Sequence, residues 1–224
     1  MLFFIDLNQH HAKHYRKVPV YASLRGLPRA QAKVGKRRIS GNIDLFKIAH
    51  QTMKRSLLIM RHGKSDWDTD NKSDFERPLA KRGQKAVKRI GQWLIQQKLT
   101  PDHIISSPAN RAQQTAIGIC RKLKLAESSI TWESRIYGAD MQTLIDVLAA
   151  CPAEKQKVML IGHNPGLEML LRYLAVDTFE TSHGHNPMPT AALASLDMPD
   201  NWEDLDAGAG ELISIIYPRE LADI

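Results

Sequence analysis

Cysteine is nearly missing from this chain: Cys120 and Cys151 are the only two among 224 residues. Cys120 falls in an apolar helical pattern and Cys151 just before a proline, so they form neither a metal-ligand spacing nor a disulfide framework. Also missing is any apolar run near the roughly 18 to 20 residues that cross a bilayer. The opening Leu2-Phe3-Phe4-Ile5 is broken by Asp6, too short for a secretory core. Long repeats and low-complexity tracts are absent, which excludes a repeat array. A reducing cytoplasm is the expected location, and neither a membrane partner nor a cofactor is expected.

What remains is the composition of a globular enzyme-sized chain, 43% hydrophobic and 25% charged, enough to bury one substantial core. The net charge of +7 is unevenly placed. Residues 1–52 hold ten Lys or Arg against two Asp or Glu, while residues 53–224 are close to neutral at −1. This 1–52 stretch has no sustained period and carries four of the nine histidines and the basic run Lys36-Arg37-Arg38, the composition of a poorly ordered extension. Three readings stay open for it: a targeting peptide, a polyanion-binding arm, or an upstream stretch with Met53 as the natural start. A mitochondrial transit peptide would be richer in serine and more clearly amphipathic. Nucleic acid is an expected partner only through this extension.

Within a domain expected over residues 53–224, short apolar runs alternate with helical stripes from residue 56 onward, the order of an α/β domain with helices on both faces of a mostly parallel sheet, a three-layer sandwich. Strands are expected at Leu57–Met60, Ile104–Ser106, Ile130–Glu133, Val158–Ile161, Ala192–Leu196 and Leu212–Tyr217. The stripes Ala86, Val87, Ile90, Trp93, Leu94 and Arg111, Ala116, Ile119, Leu123 predict two helices. Two more are expected over Met141–Ala150 and Gly166–Leu174, and a loop over Ser182–Pro189.

Three strand ends carry chemistry. Arg61-His62-Gly63 follows Leu57–Met60. Ser107, Ala109, Asn110 and Arg111 follow Ile104–Ser106 and open a helix, where backbone N–H groups and the dipole favour an anion. Gly162-His163-Asn164-Pro165 follows Val158–Ile161. Arg61, His62, Arg111 and His163 therefore collect at the carboxyl edge, where open α/β sheets hold ligands. The same string at Gly184-His185-Asn186-Pro187 follows no apolar strand, so His185 is expected in a loop, and His183 with His185 is not expected to bind metal. Two histidines and two arginines without an acidic metal cluster suit phosphoryl transfer by a nucleophilic imidazole, with cations balancing charge on the peripheral oxygens.

Together Arg61-His62-Gly63, the run Ser107 to Ala116 and Gly162 to Pro165 resemble the histidine phosphatase superfamily, its phosphoglycerate mutase-like branch. Asp74-Phe75-Glu76-Arg77-Pro78-Leu79 with Arg82-Gly83 is similar to the phosphohistidine phosphatase SixA group. The resemblance covers about residues 55–218. It implies a phosphoglycerate mutase-like fold and a metal-independent phosphatase in which His62 becomes phosphorylated and Arg61, Arg111 and His163 complete the phosphate pocket. Arg77, Ser107 and Asn164 are then expected to contact substrate. Many members carry a general-acid glutamate in the stretch matching Glu133 to Gly138; here Ser134 stands in that place and Glu133 one step away, leaving Asp66, Asp68 and Asp74 as weaker candidates. A missing acid favours a leaving group that carries its own proton, as imidazole can with its pKa near 6.5. The expected substrate is phosphohistidine on a protein, such as a phosphotransfer domain. The alternatives are a small phosphorylated metabolite or, without catalysis, a phosphate-binding protein.

Overall fold

The computed structural model describes residues 55–67, 73–176 and 187–221. The basic extension, Met53, Asp68, His183 and His185 lie outside these ranges.

Four strands with side chains buried on both faces form the middle of the sheet. They are β1 (Arg55–Arg61), β2 (His103–Ser106), β4 (Lys157–Gly162) and β5 (Leu193–Met198). Continuous Leu, Ile, Met and Val in these segments is the expected signature of strands covered on both sides. Alternation along β1 sends Leu57 and Ile59 into one core and Leu58 and Met60 into the other, all four fully buried. The first core is closed by α3 (Met141–Ala149) and α4 (Gly166–Leu174), through Leu144, Val147, Leu167 and Leu170. The second is closed by α1 (Lys81–Gln96) and α2 (Asn110–Leu123), through Val87, Ile90, Ala116 and Ile119. Truncating one of the Leu or Ile side chains among these to Ala costs about 2–5 kcal/mol.

The sheet order is β3-β2-β4-β1-β5-β6, where β3 is Ile130–Trp132 and β6 is Glu211–Ile216. β3, β2, β4 and β1 are mutually parallel; β5 runs antiparallel to both β1 and β6. This is the mostly parallel three-layer sandwich expected from the sequence. β3 stops one residue early because Glu133 leaves the ladder to cap the 3-10 turn Ser134–Ile136, accepting from the Arg135 N–H. Register places the functional ends level: Arg61 pairs with Gly162, and Ser106 with Ile161. His62 and His163 therefore leave the sheet level with each other, and Ser107 one residue before them, level with Arg61 and Gly162.

Two glycines set close approaches beside that edge. A Cβ on Gly83 would lie 2.3 Å from the Lys64 carbonyl oxygen, and one on Gly166 2.3 Å from that of Ala139. Helices α1 and α4 can reach the loops around the site only because these positions lack side chains. Among the described residues no helix is long and apolar enough to cross a membrane.

Candidate active site

A cavity of about 210 Å³ opens at the carboxyl edge, lined by Arg61, His62, Lys64, Ser65, Trp67, Arg77, Arg111, His163, Asn164 and Thr190. Four of these are cations and none is a carboxylate, a lining suited to a dianion.

His62 is 7% exposed, and its two ring nitrogens face opposite kinds of group. Nδ1 lies 2.7 Å from the Gly63 carbonyl oxygen, which can only accept. Nε2 lies 3.3 Å from Nε of Arg111, which can only donate. Both contacts require the same tautomer, with the proton on Nδ1 and a lone pair on Nε2. Burial, with smaller contributions from Arg111, Arg61 and Arg77, outweighs the Gly63 carbonyl and lowers the His62 pKa to about 4. At neutral pH the ring is uncharged, with a lone pair on Nε2.

The His163 ring centroid is 5.0 Å from that of His62. Its Nε2 meets the Ser107 hydroxyl at 2.8 Å, and its pKa is lowered to about 3, first by burial and then by His62 and Arg111. Ser107 is fully buried, is absent from the cavity wall, and also accepts from the Ala109 N–H at 3.3 Å. Its expected substrate contact is therefore set beside a hydroxyl that meets His163 and the Ala109 N–H. Its side chain turns behind the strand end, where it orients His163.

Arg61 donates from Nη1 to the Met188 carbonyl at 2.8 Å, the same oxygen that accepts from Asn164 Nδ2 at 3.1 Å. Burial lowers the Arg61 pKa. Arg61 Nε, His163 Nδ1 and Asn164 Oδ1 are buried without a protein partner, so unsatisfied polar atoms of three of the expected residues cluster here.

Arg111 and Arg77 converge on Asp74. Nη2 of Arg111 bonds Asp74 Oδ2 at 2.9 Å, Arg77 pairs with Oδ1, and the Tyr137 hydroxyl donates to Oδ2 at 2.9 Å. Although burial raises the Asp74 pKa, bonds from Tyr137 and Arg77 and the charge of Arg111 hold it down at about 2. Asp74 is thus an anion on the Arg77 and Arg111 guanidiniums, not an acid at neutral pH. Arg77 also covers the Trp67 ring at 3.7 Å from its centroid. Glu133, paired with Arg135 at 2.8 Å, caps its turn and lies off the cavity wall, as does Asp66.

The helix entrance departs from its expected role. The Asn110 N–H donates to the Phe75 carbonyl at 2.9 Å, and the Ala112 and Gln113 N–H groups donate to Ala109. These backbone groups are already satisfied, so α2 contributes its Arg111 side chain to the cavity. Sequence reasoning also passed over Thr115. Its hydroxyl accepts from the Gly63 N–H at 3.0 Å and donates to the Arg111 carbonyl at 2.7 Å, joining the loop after His62 to the helix of Arg111. Tyr137, edge-on to His163 with centroids 5.5 Å apart, was missed as well, although it lies in the stretch searched for an acid.

A family model for the histidine phosphatase superfamily (branch 1) matches residues 57–135. An uncharacterised protein of Mycobacterium tuberculosis is 30% identical over 166 residues, covering 71% of this chain and all of that one. The phosphohistidine phosphatase SixA of Escherichia coli is 30% identical over 162 residues, 66% of this chain and 91% of the relative. Among solved structures, the protein histidine phosphatase SixA complexed with tungstate superposes with a TM-score of 0.60 at 27% identity, covering 73% of this chain and 97% of that one.

Proposed function

The chain belongs to the histidine phosphatase superfamily and is a phosphatase, and from that premise we propose that it removes phosphate from phosphohistidine on a protein through a covalent intermediate on His62. The observation carrying the substrate choice is the cavity wall: four cations, two neutral histidines and, among the described residues, no carboxylate able to protonate a leaving alkoxide. A positioned general acid is worth about 10²–10⁴-fold. A substrate imidazole protonated on its far nitrogen departs neutral without that help.

In the first step the Nε2 lone pair of His62 attacks phosphorus. A P–N bond forms, and the bond to the substrate ring breaks, its electrons returning to that ring's nitrogen. Positive charge developing on His62 is stabilised by the Gly63 carbonyl at Nδ1. Arg61 and Arg111 balance the phosphoryl oxygens, and His163, oriented by Ser107, borders the transferred group. Water then attacks phosphorus, the P–Nε2 bond breaks, and the water proton leaves with phosphate or to the medium. The sum is phosphohistidine and water giving histidine and phosphate, with His62 regenerated.

Tungstate, held by the solved relative, is a tetrahedral oxyanion shaped like phosphate, which agrees with an oxyanion ligand here. Arg77 and Asn164, both on the wall, are assigned to substrate contact. The two free, buried cysteines suit a reducing cytoplasm.

The test compares a phosphohistidine protein with a panel of alcohol phosphates, without added metal, using the wild type and His62→Ala. The expected result is a kcat/KM for phosphohistidine about 10²-fold or more above the alcohol phosphates, lost in the variant. Comparable rates on alcohol phosphates would favour a small-metabolite phosphatase, and equal turnover by His62→Ala would remove the nucleophile.

A further inference from the structure

Next to the phosphoryl cavity is a second, of about 450 Å³, whose wall includes Lys64, Arg82, Arg89, Tyr217 and Arg219. Lys64 and Thr190 line both cavities, so the two share a wall. Four cations and no carboxylate line the second one.

The charges of Lys64, Arg82 and Arg219 are poorly neutralised. Neither Lys64 nor Arg82 has a carboxylate partner among the described residues. Arg219 has Glu220 at 3.7 Å, but those side chains are 78% and 58% exposed, and a pair so open contributes little. Arg89 is anchored through Nη1 to the Pro218 carbonyl at 3.4 Å, and the Arg219 guanidinium sits 5.4 Å from the Tyr217 ring centroid. Like charges brought together repel unless an anion joins them.

We propose that this cavity receives carboxylate side chains flanking the phosphohistidine of the protein substrate. The inference rests on the phosphohistidine reading above. A second phosphate group would call for a sequestered guanidinium fork, as Arg111 is at 6% exposure. Here Arg82 and Arg219 are exposed, and the cations come from α1, the loop after His62 and the turn after β6. Separate flexible cations at a rim suit several separate carboxylates and act mainly through steering and register.

The test uses the full chain, two phosphohistidine peptides of equal length with acidic or neutral flanks, and phosphoramidate as a substrate without flanks. The variant is Arg82→Gln/Arg219→Gln; it keeps the basic extension, so any attraction from residues 1–52 is common to both proteins. In the wild type the acidic flank is expected to lower KM about fivefold at unchanged kcat, as rim pairs allow. That advantage disappears in the variant and on raising salt from about 0.05 M to about 0.5 M, while phosphoramidate turnover stays the same. Equal KM for the two peptides in the wild type overturns the proposal, as does a parallel loss on phosphoramidate in the variant. An equal, arginine-dependent gain for propane-1,3-diol bisphosphate over its monophosphate would replace the acidic segment with a second phosphate. If neither phosphohistidine peptide is hydrolysed while alcohol phosphates are, the substrate reading fails on its own. Calorimetric binding of the unphosphorylated acidic peptide then decides: dependence on Arg82 and Arg219 keeps the acidic subsite, and its absence removes it.

Discussion

Acidification is the perturbation that most sharply separates His62 from an ordinary histidine. With a pKa of about 4 it is about 3% protonated at pH 5.5, whereas at the usual 6.5 it would be about 90% protonated. Between pH 6.5 and 4 the unfolded chain binds a proton that folded His62 refuses. Stability therefore falls as pH drops through that window, by about 3 kcal/mol at its lower end, and above pH 6.5 neither state is protonated and this contribution vanishes. The assay is a long-range proton–nitrogen correlation on histidine-labelled protein, with His62 assigned from the spectrum of His62→Gln. At pH 5.5 Nδ1 should carry the proton and Nε2 none, because Gly63 can only accept and Arg111 can only donate. A midpoint near 6.5, or a proton on Nε2 in the neutral ring, would refute this reasoning.

Thr115→Val keeps shape but leaves the buried Gly63 N–H without its acceptor; a loss of about 1–3 kcal/mol is expected from urea unfolding, with a lower kcat because the nucleophile's loop is released from α2. Gly166→Ala drives a Cβ to 2.3 Å from the Ala139 carbonyl oxygen, and overpacking against backbone should cost about 1–3 kcal/mol, read as a lower urea midpoint at an unchanged slope. Asp74→Asn removes the carboxylate that pairs with Arg77 and Arg111; product inhibition by inorganic phosphate should tighten about threefold or more, and an unchanged inhibition constant would show that Asp74 does not compete with the anion.

The parts of the site legible in the sequence are those dictated by local order. Each of His62, Arg111 and His163 follows a short apolar strand, and the alternation of strands and helices brings those strand ends to one edge. The resemblance of three separated motifs then supplied roles that spacing alone leaves open. What stayed hidden depends on contacts between distant segments. Tyr137 meets Asp74 across 63 positions, and Asn110 meets the Glu76 carbonyl across 34. No periodicity reports such pairings. Ser107 stands at the expected strand end, and its contact with His163 Nε2 is set by packing beyond the strand, which local sequence does not report. Glu133 already stands one step from the expected acid position in the sequence, and the fold adds that its carboxylate caps a turn and pairs with Arg135.

Rapid-quench mapping of the phosphoryl group tests the central claim most directly. Wild-type protein mixed with a radiolabelled phosphohistidine protein should acquire an acid-labile label on His62 within the first turnover, and His62→Ala should acquire none and release no phosphate. A label on a different residue, or release of phosphate by His62→Ala at the wild-type rate, would contradict the account.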